Sequence, residues 1–195
     1  MNIGIMGGTF DPVHTGHLLA ALCALEQAGL DEVWFMPASA PPHKKNAPLA
    51  SAEQRFAMAE LAVEGNPKFR ATDIELRKGG TSYTAETVDL LRELHPEHRF
   101  QYIIGADMVM YLPKWHRIDD LTASIGFIGL HRPGYEIRLG ELPERIRRSV
   151  RLAEMPQIDI SSTAIRAKRA RGGSIRYLVP ERVREYIERN RLYES

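Results

Sequence analysis

The chain has 195 residues, 44% of them hydrophobic, and a net charge of +1. That length suits one domain and that composition supports a sizeable core, which excludes a disordered or fibrous protein. One cysteine, Cys23, rules out an intrachain disulfide and fits a reducing cytoplasm; MNIGIMGG does not read as a secretory signal, and no apolar run approaches the ~20 residues of a membrane span.

In chain order, Met1–Met6 is a short apolar run that predicts a buried strand. His17–Ala28 carries a helical apolar pattern, with Gly29 placed to cap its end. Glu32–Met36 reads as a strand and Pro37–Leu49, rich in proline, as a loop. Ser51 with Gln54 three residues on forms a capping box for a helix to about Glu64. Phe69–Leu76 reads as a strand, Thr84–Leu94 as a helix stopped by Pro96, and Phe100–Ile104 as a strand closed by Gly105. Ile125–Leu130 is a further strand, and Val150–Ile160 holds one or two short ones. Ser162–Arg171 is an arginine-rich helix, and Pro180 opens a last helix to about Arg191.

Strands alternating with helices, the strands short and continuously apolar, indicate an α/β fold with a Rossmann-like, doubly wound parallel sheet. The expectation is one domain over 1–195, with a core of 1–160 and C-terminal helices in 161–195. Ligands of such sheets sit beyond the carboxyl ends of the strands. The unusual chemistry of this chain falls in the segments that follow its strands.

The first is GGTFDPVHTGHL, Gly7 to Leu18. Gly7 and Gly8 let backbone approach a ligand closely, and the following helix start suits an anion. His14 and His17 share one helical face. Zinc is disfavoured, because the spacing is i, i+3 and only Asp11 offers a further ligand nearby. A structural pair remains open; phosphate contact is preferred, because glycines, helix start and imidazole donors converge. The second segment, Ser161-Ser162-Thr163-Ala164-Ile165-Arg166, reads either as a helix cap or as a phosphate clamp in which a guanidinium joins hydroxyls.

Three other features stay double-valued. His43-Lys44-Lys45 is either a solvated loop or a cationic arm that closes on phosphates. Trp115 is either core or a stacking platform. Asp107 either binds ribose hydroxyls or caps the next helix. Charge is uneven: residues 1–130 hold 11 basic and 16 acidic side chains, residues 131–195 hold 15 and 9. The basic third could serve a polyanionic small molecule or form a solvated helical surface.

GTFDPVHTGH resembles the G-x-F-D-x-x-H-x-G-H signature of the nucleotidyltransferase superfamily, and SSTAIR is similar to its S-[ST]-T-x-x-R motif, roughly 150 residues on. MPASAPPHKK, GGTSYTAET, YIIGADM, LPKWHRI, LHRPGY and YLVPERVREYIERNRLY extend the likeness to the bacterial nicotinate-nucleotide adenylyltransferases along nearly the whole chain. The resemblance implies adenylyl transfer from ATP to nicotinate mononucleotide, giving deamido-NAD and pyrophosphate without a covalent intermediate. It assigns catalysis to His14, His17 and Arg166. It assigns ATP to Gly7, Gly8, Thr9, Phe10, His14, His17, Gly105, Asp107, Arg132, Ser161, Ser162, Thr163 and Arg166. It assigns the mononucleotide to Ser39, His43, Lys44, Tyr83, Thr84, Ala85 and Trp115. Relatives can carry asparagine at the position of Ser39 and arginine at that of Lys44. Mg²⁺ is expected on the ATP phosphates, with no dedicated metal ligands in the chain. Small-molecule substrates are the expected partners, with no nucleic acid and no membrane, and a homo-oligomer stays open. A transferase with another phosphate acceptor is the nearest alternative; a nucleotide sensor on the same fold is disfavoured because both phosphate motifs are intact.

Overall fold

The computed structural model describes residues 1–39, 47–81, 83–131 and 137–194. Its elements are β1 (Asn2–Gly8), α1 (Thr15–Ala28), β2 (Glu32–Pro37), α2 (Ala52–Val63), β3 (Phe69–Ala71), α3 (Ile74–Lys78) and α4 (Thr84–Leu94). Then come β4 (Arg99–Gly105), α5 (Ala106–Tyr111), α6 (Ile118–Ser124), β5 (Gly126–His131), α7 (Glu144–Ser149), β6 (Val150–Glu154), α8 (Ser162–Ala170) and α9 (Glu181–Arg189).

The six strands form one sheet in the order β3-β2-β1-β4-β5-β6, with every pairing parallel. Successive side chains on each strand enter opposite layers, as a pleated backbone requires. Val33 and Phe35 join α1, α2, α8 and α9 on one face. Ile3, Ile5, Trp34 and Met36 join α4 to α7 on the other. Ile165, Val183, Ile187 and Tyr193 pack into the first of these layers, so the C-terminal helices share the core of the sheet.

Local signals account for most boundaries. Gly29 caps α1 with φ 65°, a conformation that glycine adopts without penalty. Ser51 Oγ accepts from Gln54 N–H while the Gln54 side chain accepts from Ser51 N–H, the reciprocal box expected at α2.

The expected strand Phe69–Leu76 is corrected: it stops at Ala71 and α3 begins at Ile74. Phe69, Arg70 and Ala71 pair with Val33, Trp34 and Phe35. Asp73 then bonds Arg77 Nε at 2.6 Å across one helical turn, and the apolar run continues as helix. Val150–Ile160 supplies one strand, ending at Glu154. The last helix ends at Arg189, two residues earlier than expected, with Pro180 at its cap. The short helices α5, α6 and α7 carry too few turns for a periodic signal.

Candidate functional site

The strand order reverses between β1 and β4, and a cleft of about 560 Å³ opens there at the carboxyl ends. Gly7, Gly8, Thr9, His17, Gly105, Asp107 and Trp115 line it, as do Glu75 and Tyr102, which are not singled out as site residues from the sequence. A larger hollow, about 960 Å³, lies at the amino-terminal edge of the sheet around Arg92, Arg99 and Ser124. It has neither the glycine turn nor the conjunction of motifs, so the smaller cleft is the candidate site.

Near the end of β1, nothing larger than Gly7 fits. A Cβ there would lie 2.0 Å from the Tyr102 phenol oxygen. The chain then passes Phe10, whose ring is buried and meets His17 edge-on at 5.0 Å. Phe10 is therefore a floor under His17, and only its backbone can meet a ligand.

His14 caps α1 in extended conformation. Its N–H donates to His17 Nδ1 at 3.1 Å, and the two rings stack at 3.6 Å. A nitrogen that accepts a hydrogen bond carries no proton, so the His17 proton is on Nε2. His17 is thus a neutral N–H donor lining the cleft. Nearly parallel rings, one with Nδ1 already engaged, do not converge on a shared ion.

Arg55 is buried and donates to the carbonyls of Thr9 (2.9 Å) and Ala38 (2.7 Å), which ties the ends of β1 and β2 together. Burial lowers its pKa, opposed chiefly by the charge of Asp11. Asp11, itself buried, accepts N–H bonds from Leu49 and Ala50 at the entry to α2.

The second motif reaches the first through this segment. Ser161 Oγ caps α8 by accepting from Ala164 N–H, and Ser162 Oγ donates to the Pro12 carbonyl at 2.9 Å. Arg166 Nη1 donates to the Asp11 carbonyl at 2.7 Å, and Nη2 lies 3.5 Å from Thr163 Oγ1. Ser161 caps the helix, and Arg166 is held against the histidine loop.

The far wall is aromatic. Trp115 packs edge-on to Tyr102 at 6.0 Å and to Phe127 at 5.9 Å, while its ring lines the cleft. Its Nε1 is buried with no acceptor among the described residues. Trp115 belongs to the core layer and also lines the cleft. The Tyr102 phenol bonds the Thr84 side chain, and burial pushes its ionisation upward, so it stays protonated. Tyr83 caps α4, Ala85 is buried, and Thr87 Oγ1 donates to Glu75 Oε1 at 2.8 Å. The buried acid and phenol thus hold the α4 start against the cleft.

Gly105, not Asp107, stands at the cap of α5; Asp107 is the second helical residue, with its carboxylate folded back over Gly105. Ser39 follows β2 and is half-buried. His43, Lys44 and Arg132 lie outside the described residues. Among the described residues, one trio of metal-ligand type, His95, Glu97 and His98, lies just before β4, outside the residues that line the cleft. No helix among the described residues is long and apolar enough to cross a membrane.

Comparison with known proteins agrees with this geometry. The cytidylyltransferase-like family model matches residues 5–168. A probable nicotinate-nucleotide adenylyltransferase of Bacillus pumilus is 49% identical over 193 residues, covering 99% of this chain and 98% of that one. The nicotinate-nucleotide adenylyltransferase of Bacillus subtilis is 46% identical with the same coverage. A Plasmodium falciparum nicotinic acid mononucleotide adenylyltransferase, solved in complex with APC, superposes with a TM-score of 0.75 at 20% identity, over 98% of this chain and 96% of that one. A structure of the Plasmodium falciparum enzyme with NaAD gives a TM-score of 0.74 at 22% identity, over 98% of this chain and 97% of that one.

Proposed function

Because the chain belongs to the nicotinate-nucleotide adenylyltransferases, within the cytidylyltransferase-like family, we propose that it joins ATP to nicotinate mononucleotide by direct in-line attack. A phosphate oxygen of the mononucleotide forms a bond to the α-phosphorus. The bond from that phosphorus to the bridging oxygen breaks, and pyrophosphate leaves with the electron pair. Deamido-NAD is the other product. The observation that carries the reading is the His17 Nε2–H donor at the β1/β4 switch point, beside a loop that also anchors Arg166.

Nothing in this chemistry requires a nucleophilic side chain. Rate comes from aligning two phosphates and stabilising the charge that develops between them. His17 donates to the α-phosphate, with His14 beside it, and Arg166 with Ser161, Ser162 and Thr163 holds the leaving pyrophosphate. Gly7, Gly8 and Thr9 let the triphosphate approach the backbone. Gly105 and Asp107 meet the ribose, and Arg132 the adenine side.

The mononucleotide ring stacks on Trp115, its carboxylate meets backbone N–H groups of Tyr83, Thr84 and Ala85, and its phosphate is held by His43 and Lys44, with Ser39 adjacent. Glu75 and Asp107 are the carboxylates that line the cleft among the described residues, and Glu75 is engaged by Thr87. That donor set suits Mg²⁺ carried by phosphate oxygens and water rather than by a protein cage. Bound there, the ion neutralises phosphate charge. The whole chain acts as one nucleotidyltransferase domain.

Pyrophosphate release tests the function directly. ATP with nicotinate mononucleotide should release pyrophosphate; release only with nicotinamide mononucleotide or with phosphopantetheine would replace the proposed acceptor. Trp115→Ala should raise the KM for the mononucleotide about tenfold, the loss of roughly 1.4 kcal/mol of ring contact, with the KM for ATP little changed. An unchanged KM for the mononucleotide would leave Trp115 as core alone.

A further inference from the structure

The chain beyond α9 does not trail into solvent. It turns through Arg191 (φ 50°) and Tyr193 (φ 61°), left-handed conformations that residues other than glycine rarely hold without compensating contacts. The turn delivers the Tyr193 ring into the core, where its hydroxyl donates to Asp11 Oδ1 at 2.8 Å. Burial and the Asp11 charge push the phenol's ionisation well up, so it remains a donor.

Asp11 lies in the GTFDPVH loop and is buried. A buried carboxylate must be met by donors or by a cation. Three donors meet this one: Ala50 N–H at 3.1 Å and Tyr193 O–H at 2.8 Å on Oδ1, and Leu49 N–H at 2.9 Å on Oδ2. Arg166 Nη1 lies 3.9 Å from Oδ2, close enough to be drawn in, but its hydrogen bond goes to the Asp11 main-chain carbonyl. The Asp11 carboxylate is satisfied without a direct hydrogen bond from the Arg166 guanidinium.

We propose that Tyr193 is a positioning residue for adenylyl transfer. By satisfying Asp11 it keeps the Arg166 guanidinium from collapsing onto that carboxylate and leaves it aimed at the departing pyrophosphate. The inference rests on the function proposed above. Without the hydroxyl, Asp11 loses one of its three donors, and among the described residues Arg166 is the cation nearest to replace it.

Tyr193→Phe keeps the ring and its packing and removes only the donor. It should lower kcat/KM for ATP about tenfold, the scale of one hydrogen bond to a charged group, and leave the KM for nicotinate mononucleotide within about twofold. In an Arg166→Ala background the same change should alter kcat/KM less than about twofold, since residues acting through one group are not additive. Weaker binding of a non-hydrolysable ATP analogue, measured by calorimetry, gives a readout independent of the acceptor. Wild-type protein that binds the analogue but releases no pyrophosphate with nicotinate mononucleotide would defeat the proposed function and leave this measurement intact. A lowered melting temperature with unchanged kinetics and analogue affinity, or an equal loss in the Arg166→Ala background, would overturn the positioning role.

Discussion

His17→Ala should lower kcat by about 10²–10³, the effect of removing one preorganised donor to transition-state charge. Nucleotide affinity should change far less, because glycine backbone and Arg166 remain. The size of the effect follows from the local geometry. His14 N–H occupies Nδ1, which leaves the proton on Nε2, and the ring lines the cleft. Phe10 beneath and His14 alongside prevent the ring from turning away. Such a donor needs no reorganisation as the α-phosphate gains charge. His17→Gln places an amide N–H near the position of Nε2 and should recover part of the rate. Steady-state kcat at saturating substrates, read beside ATP-analogue affinity, checks this. An alanine variant with wild-type kcat would remove His17 from the chemistry.

The two motifs proposed to hold phosphate are legible in the sequence because their residues are local. Glycines, a helix start and nearby histidines lie within a dozen residues, and Ser161 to Arg166 spans about one and a half helical turns. What joins the motifs was not legible. Asp11, Arg55 and Tyr193 bond partners 17 to 182 residues away, and no periodicity encodes such contacts. Arg55 reads as one more charge on a capped helix, yet it is buried and holds two carbonyls at the sheet edge. Glu75 was hidden for a different reason. Within an apparent strand of Phe69–Leu76 its direction has period two, whereas α3 turns it inward to Thr87. Tyr102 sits in an apolar strand run, and its importance depends on the absence of a side chain at Gly7, three strands earlier in the order of the chain.

That dependence supports the second large effect. Gly7→Ala should destabilise the protein by about 1–3 kcal/mol, the range for overpacking a closed core, and raise the KM for nicotinate mononucleotide about tenfold. The added Cβ would lie 2.0 Å from the Tyr102 oxygen and 3.0 Å from its Cζ. The ring has little room to yield. It is buried, Trp115 meets it edge-on, and its hydroxyl is held by the Thr84 side chain. β1 cannot easily bow away either, since Gly7 and Gly8 pair with Met36 and Pro37 of β2 and the strand is paired to β4 up to Ile5. If Tyr102 moves, it releases Thr84 and loosens the α4 start, where the nicotinate carboxylate is proposed to bind. For a chain of this length the stability loss corresponds to a melting temperature lower by about 2–10 °C. Tyr102→Phe in the Gly7→Ala background removes the atom at 2.0 Å and leaves a tight contact near 3.0 Å. The double variant should therefore melt above the Gly7→Ala single variant, although Tyr102→Phe alone loses a buried hydrogen bond. A double variant that melts lower still would place the strain elsewhere. A Gly7→Ala protein with wild-type melting and mononucleotide KM would show that β1 can yield, and Gly7 would lose its role as the space for Tyr102.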